Sequence, residues 1–166
     1  MVDLLDIIAR FRTKGILLDT NLLILLVVGL YRRDRISKFN RTRQYTINDF
    51  DLITAFIHQF PRRITTPHIL AETDNLMRQM DRNEHRALSI VMSSLVSTLL
   101  EICVPSVDAV RQGAYDRLGL TDSAIQIAAV TEDVLVVTDD AKLANWLAHA
   151  GRDVLNINHV RMLNWN

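Results

Sequence analysis

Cysteine occurs only once in the 166 residues of this chain, as Cys103, and that excludes an internal disulfide. A small secreted scaffold held by disulfides is ruled out, and a reducing cytoplasm is the expected setting. Excess charge of one sign is missing too: Lys and Arg number 19, Asp and Glu 19, for a formal net charge of zero. That balance argues against a generically basic protein that coats nucleic acid, although a sum hides how the charges are distributed. Long apolar runs are also lacking. The longest stretch free of Asp, Glu, Lys and Arg covers residues 87–100, 14 in all, short of the roughly 18–20 a membrane-spanning helix needs. Asp3 and Asp6 stand where an export signal carries positive charge, so none is expected. No repeat, low-complexity tract or flexible linker interrupts the chain.

What is there is globular in character. Hydrophobic residues make up 49% and charged residues 23%, too apolar for a disordered chain. The length predicts a single domain over residues 1–166, able to bury roughly two-thirds of its surface. The charge, however, is unevenly placed. Residues 32–43 (RRDRISKFNRTR) hold six Arg or Lys against one Asp, while residues 118–141 hold five acids and no base. Neutrality is two opposed patches cancelling.

Periodicity predicts strands alternating with helices. Leu4, Ile7, Ile8 and Phe11 fall at helical spacing, giving a short amphipathic helix over 2–12 that Gly15 ends. A buried strand over 16–18 follows, then a helix over 20–30 that is apolar on every side and so buried all round. Residues 31–48 read as a basic surface insertion. A helix capped by Asn48 or Asp49 runs to Phe60, and a strand over 62–65 leads into a helix started by Thr66-Pro67 and ending near Met80. Further helices are expected over 83–100, 106–117, 122–131 and 140–149, and strands over 102–104, 134–137 and near 153–157. Such alternation predicts an α/β fold with a mainly parallel central sheet.

The acids recur in one context. Asp19 directly follows the first strand in LLDTN, and Asp139 and Asp140 follow the strand 134–137 in VVTDD. Ligands of open parallel sheets gather at the carboxyl ends of the strands, so these positions are expected to be neighbours. Asp122 opens a helix in GLTDSAI. Glu72 lies between Ile69 and Leu76 in HILAETDNL, a spacing that predicts an inward-facing carboxylate. Singly, Asp19, Asp122 and Asp139 are also explained as helix N-caps, and Glu72 as one half of an ion pair with an Arg. Together they say more. Carboxylates about 4 Å apart repel by about 4 kcal/mol per pair at an effective dielectric near 20, so a cluster needs a cation or protons to persist. Oxygen ligands without His or Cys select Mg²⁺ or Mn²⁺, and such an ion suits phosphodiester hydrolysis.

These motifs resemble the PIN domains, a family of metal-dependent ribonucleases. The resemblance rests on LLDTN (Asp19), HILAETDNL (Glu72), LTDSAIQIAA (Asp122) and VVTDDAKL (Thr138, Asp140), in that order, and covers about residues 15–157. It implies a three-layer α/β/α fold, with Asp19, Glu72, Asp122 and Asp140 as the catalytic, metal-binding acids and Asn21 and Thr138 in support. Asp139 either caps the following helix or joins the metal shell. The implied activity is hydrolysis of RNA by a metal-activated water, with no covalent enzyme intermediate. Homodimerisation and, as in the toxins of this family, an antitoxin partner are further implications. The long gap between Asp19 and Glu72, filled by the insertion, departs from the compact toxins.

For that insertion the expectation is a phosphate-tracking rim of Arg32, Arg33, Arg35, Lys38, Arg41 and Arg43, with Phe39 or Tyr45 free to stack on bases; the bland alternative is a solvated loop. The five histidines share no ligand spacing, Ser93, Ser94 and Ser97 have no nucleophile turn beside them, and Cys103 reads as a buried hydrophobe. The stripe Leu88, Met92, Leu95 and Leu99 reads as core. Two other functions are weighed against a nuclease. A PIN-like module that binds RNA or protein without catalysis would be expected to lack one or more of the four acids. A haloacid-dehalogenase-like phosphatase needs a second Asp two residues after the first, where this chain has Asn21.

Overall fold

In the computed structural model, residues 4–163 are described; Val2 and Asp3, at the start of the predicted first helix, lie outside them. That helix, α1, is Leu4–Phe11. It ends at a turn through Gly15, whose φ is +100° and where an added Cβ would meet the Arg62 carbonyl oxygen at 2.5 Å. Only glycine suits both conditions. The strand β1 (Ile16–Leu18) follows and is wholly buried, and α2 (Thr20–Tyr31) is buried over nearly its whole length. Its lack of a polar face makes it the central helix of one layer, packed on by α3 (Ile47–Ile57), α4 (Pro67–Met77) and α5 (Arg82–Val96). Gly29 makes room for α3, since a Cβ there would lie 2.3 Å from the Phe50 ring.

The remaining elements are β2 (Arg63–Thr65), β3 (Leu100–Glu101), three helices α6 (Ser106–Ala109), α7 (Tyr115–Leu118) and α8 (Leu120–Glu132), then β4 (Leu135–Thr138), α9 (Ala141–His149), β5 (Val154–Asn156) and α10 (Ile157–Leu163). All five strands join one parallel sheet in the order β3-β2-β1-β4-β5. From β1 the chain steps outward through β2 to β3, then crosses to β4 and steps the other way to β5. Right-handed crossovers in opposite directions put helices on opposite faces, consistent with three α/β/α layers. The reversal of direction falls between β1 and β4, the adjacent strands whose carboxyl ends lead into Asp19 and Asp139.

Several boundaries depart from expectation. The N-cap of α3 is Thr46, which forms a reciprocal capping box with Asp49, so Asp49 is the box partner and not the cap. The single helix expected over 106–117 is two short ones, and the third strand sits two residues early, leaving Cys103 exposed beyond it. Helix α10 was not anticipated. Leu88 and Met92 are buried and Leu95 and Leu99 half-buried, as the core stripe requires. Among the described residues no helix is long and apolar enough to cross a membrane.

The insertion is not a loose loop. Ile36, Phe39, Thr42 and Tyr45 are each at most 6% exposed. They recur every third residue, and backbone N–H groups of Arg35, Lys38, Thr42 and Tyr45 bond the carbonyls three residues before them. Arg33–Arg35 forms a short 3₁₀ helix and successive turns continue it, with the Phe39 and Arg43 N–H groups bonding carbonyls four residues before them, so that one side of the segment stays on the core. Phe39 and Tyr45 are thereby lost as base-stacking platforms, since their rings are packed inside.

Candidate functional site

The candidate site is built on the carboxyl ends of β1 and β4. Asp19 ends β1 and caps α2: its Oδ1 accepts the Leu22 N–H at 2.8 Å, while its Oδ2 accepts the Thr138 hydroxyl and, at 3.3 Å, the Asp139 N–H. Capping and a place in the acidic site are one arrangement here, because the strand delivers Asp19 to the helix start. Thr138, fully buried at the end of β4, also accepts the Asp140 N–H at 2.9 Å. The predicted supporting threonine thus joins the two strand ends. Asp140, and not Asp139, caps α9, accepting from Lys142 N at 2.6 Å and Leu143 N at 3.2 Å.

Asp139 is held by side chains instead. Its Oδ1 accepts from Asn21 Nδ2 at 2.8 Å and its Oδ2 from the Tyr45 hydroxyl. Its carbonyl accepts from Asn158 Nδ2 at 2.9 Å. Glu72 is exposed, contrary to the inward placement expected of it; Ile69 and Thr73 form the buried line of α4, and Glu72 stands at its margin, accepting the Thr20 hydroxyl at 2.9 Å. Among the described residues no Arg pairs with it. Asp122 is not an N-cap, because Gly119 precedes α8 and Asp122 sits in its first turn.

The electrostatics divide these acids into two groups. Burial pushes the Asp19 carboxyl up to about 8, and the charge of Asp139 adds to the rise. Asp122 is pushed up to about 7, by burial first and then by Asp140 and Glu72. Neighbouring negative charge is thus felt at both, which places Asp19 with Asp139 and Asp122 with Asp140 and Glu72. Among the described residues none of these five acids forms a salt bridge, whereas Asp34, Asp49, Asp51, Asp74 and Glu84 all do. The donor chemistry fits a hard divalent cation: carboxylate oxygens, no imidazole or thiolate bonded to them, and charge with no protein counterion. As the side chains stand, however, no three His, Cys, Asp or Glu residues among those described are gathered so that they could hold an ion.

The predicted basic rim is largely spent on partners. Arg32 and Lys38 share Asp34 at 3.0 Å each, Arg33 meets Asp51 at 2.5 Å and Arg35 meets Glu84 at 2.6 Å. Arg41 and Arg43 are different: among the described residues their side chains bond only the neutral amides of Gln79 and Asn40. A hollow of about 470 Å³ lined by Ile7, Phe11, Leu135 and Val154 opens at the amino ends of β4 and β5, the far end of the sheet from the acids.

Sequence reasoning missed Thr20, Asn158 and Arg161, and gave Tyr45 the wrong task. The Arg161 guanidinium bonds both carboxylate oxygens of Asp49 at 2.8 Å and the Gln44 carbonyl at 3.0 Å, and lies 5.3 Å from the centre of the Tyr45 ring. The three-residue period of residues 36–45 was the available signal for Tyr45. Arg161 also bonds Asn158 Oδ1 at 2.9 Å, but the partners that bring the two to the site, Asp139, Asp49 and Gln44, lie 19 to 117 residues away, and nothing local marked them. No protein-family model matches this chain, and no curated protein matches it.

Proposed function

We propose that this chain is a divalent-metal-dependent ribonuclease of the PIN type, acting on RNA phosphodiesters. The observation that carries the reading is the set of acids without counterions among the described residues, at the point where the strand order of the parallel sheet reverses. A protein gains nothing in stability from grouping such charges, so their cost is explained by a cation that offsets it. Asp122, Asp140 and Glu72 would hold the ion, together with Asp19 across the β1–β4 junction. Mg²⁺ or Mn²⁺ bound there would supply Lewis acidity to a phosphoryl oxygen and acidify the attacking water.

The chain's own residues do the positioning. Thr138 and the Asp139 N–H fix the Asp19 carboxylate, the Thr20 hydroxyl fixes one oxygen of Glu72, and the start of α9 fixes one oxygen of Asp140. Arg41 and Arg43, uncompensated and exposed, are the members of the basic segment best suited to phosphates. A homodimer, an antitoxin and a cytoplasmic setting belong to this reading as implications of the resemblance.

A second reading has one specific observation in its favour. The acids do not converge on a common point as they stand, as in a PIN-like module that binds RNA or protein without cutting it. Incubation of the purified protein with short single-stranded RNA separates the two. Cleavage is expected with Mg²⁺ or Mn²⁺, none with chelator, and a loss of about a thousandfold or more in Asp19→Asn and Asp140→Asn. RNA binding without cleavage in either metal would establish the second reading, and metal-independent cleavage that leaves cyclic phosphates would overturn both.

A further inference from the structure

We infer that Tyr45, delivered by the 31–48 insertion, is a positioning residue of the acidic site that acts through Asp139 on Asp19, and that Asp139 is a buttress and not a metal ligand. The inference rests on the proposed nuclease reading and goes beyond it, because the resemblance assigns no role to the insertion at the metal site.

Three elements remote in sequence close on Asp139. Asn21 comes from the first turn of α2, Tyr45 from the end of the insertion and Asn158 from α10. Between them they take both carboxylate oxygens and the carbonyl. The remaining polar group, the N–H, points at Asp19 Oδ2. Asp139 therefore converts a clamp built from three directions into the orientation of one oxygen of Asp19. The clamp is itself braced, since Arg161 packs over the Tyr45 ring while pairing with Asp49, the capping-box residue that starts the helix after the insertion.

Asp139 is a poor candidate for a ligand on energetic grounds. Tyr45 is 2% exposed. Turning the carboxylate toward an ion would leave the Tyr45 hydroxyl buried without an acceptor, which is unfavourable. Groups that bond to a metal's carboxylates from outside the ligand set commonly alter affinity by about 10–100-fold when removed. The Tyr45 hydroxyl is two hydrogen-bonded steps from Asp19, which places its effect at the lower end of that range.

Tyr45→Phe tests this, because it deletes one oxygen and keeps the ring under Arg161. Mn²⁺ affinity is read directly from the loss of the free-ion electron paramagnetic resonance signal, and RNA cleavage is measured separately across Mn²⁺ concentrations. The expected result is Mn²⁺ binding weakened about tenfold, kcat reduced at low Mn²⁺ and restored at high Mn²⁺, and KM for RNA unchanged. Asn21→Ala, which removes the other clamp on the same carboxylate from a half-exposed position, is expected to act in the same direction if Tyr45→Phe folds poorly. Asp139→Asn is expected to weaken Mn²⁺ without abolishing it, and the double variant Tyr45→Phe/Asp139→Asn to be no weaker than the weaker single. Unchanged Mn²⁺ affinity in both Tyr45→Phe and Asn21→Ala would overturn the inference, as would complete loss of binding in Asp139→Asn. Failure of the wild-type protein to bind Mn²⁺ is a separate result, which removes the nuclease reading and this inference with it.

Discussion

The basic segment holds six cations and the carboxyl end of the sheet five acids, Asp19, Glu72, Asp122, Asp139 and Asp140, and the fold treats the two sets in opposite ways. Four of the six cations in residues 32–43 meet an acid. None of Asp19, Glu72, Asp122, Asp139 and Asp140 meets a cation in a salt bridge among the described residues. The difference teaches that the fold does not neutralise charge uniformly: the basic segment is matched locally, while the acids at the strand ends keep no counterion among the described residues, which is what the proposed cation would supply. Removing an acid should then have opposite consequences in the two kinds of place.

The largest effect is expected where an acid is matched and buried. Asp49 is 3% exposed and serves both the α3 capping box and Arg161. Asp49→Ala should cost about 3 kcal/mol and lower Tm by roughly 10 °C in thermal unfolding. A neutral outcome would mean that Arg161 does not tie α10 to the insertion.

The opposite sign is expected at Asp19. Its carboxyl titrates near 8 in the folded protein against an ordinary 3.8. The native state therefore holds the proton more tightly, and stability falls as pH rises between about 4 and about 8. In chelator, wild-type Tm should decline across that window, and Mn²⁺ should restore it at pH 8 by mass action. Asp19→Asn removes this titration, so its Tm in chelator should decline less than that of wild type between pH 5 and pH 8. A wild-type Tm that is flat with pH in chelator would break the contrast.

The smallest effects are expected on the basic side. Arg33→Ala and Arg32→Ala should leave Tm nearly unchanged, because both pairs are about half exposed. Their substitution should also leave the salt dependence of RNA binding alone. Arg41→Ala and Arg43→Ala should each reduce the slope of log K against log salt by about 0.7, from roughly −1.4 where these two contact single-strand phosphates; a slope near −4 would show that all six do.

Local rules made much of this structure legible. Gly15 and Pro67 placed element ends, the all-apolar run after Asp19 placed the central helix, and the Val-rich run before Asp139 placed a buried strand within one residue. Those signals work because backbone conformation and burial are written in neighbouring residues. Glu72 shows the limit. Apolar residues three before and four after suggested an inward face, but the buried line of α4 runs through Thr73, a hydroxyl satisfied by the Ile69 carbonyl. Polar burial of that sort is invisible to a hydrophobic pattern. The cap of α9 was a similar case, since Asp139 and Asp140 are equivalent in composition and only geometry chose between them.

The sequence by itself determined that this is an α/β chain with acids at the ends of two strands, and that its neutrality is the sum of two opposed segments. It could do so because strand, helix and turn preferences act over a few residues. Which acids share a group, which cations are spent on partners, and how Tyr45 comes to hold Asp139 were decided only by tertiary structure. Residues 45 and 139 are 94 positions apart, and no local preference encodes a hydrogen bond across that distance.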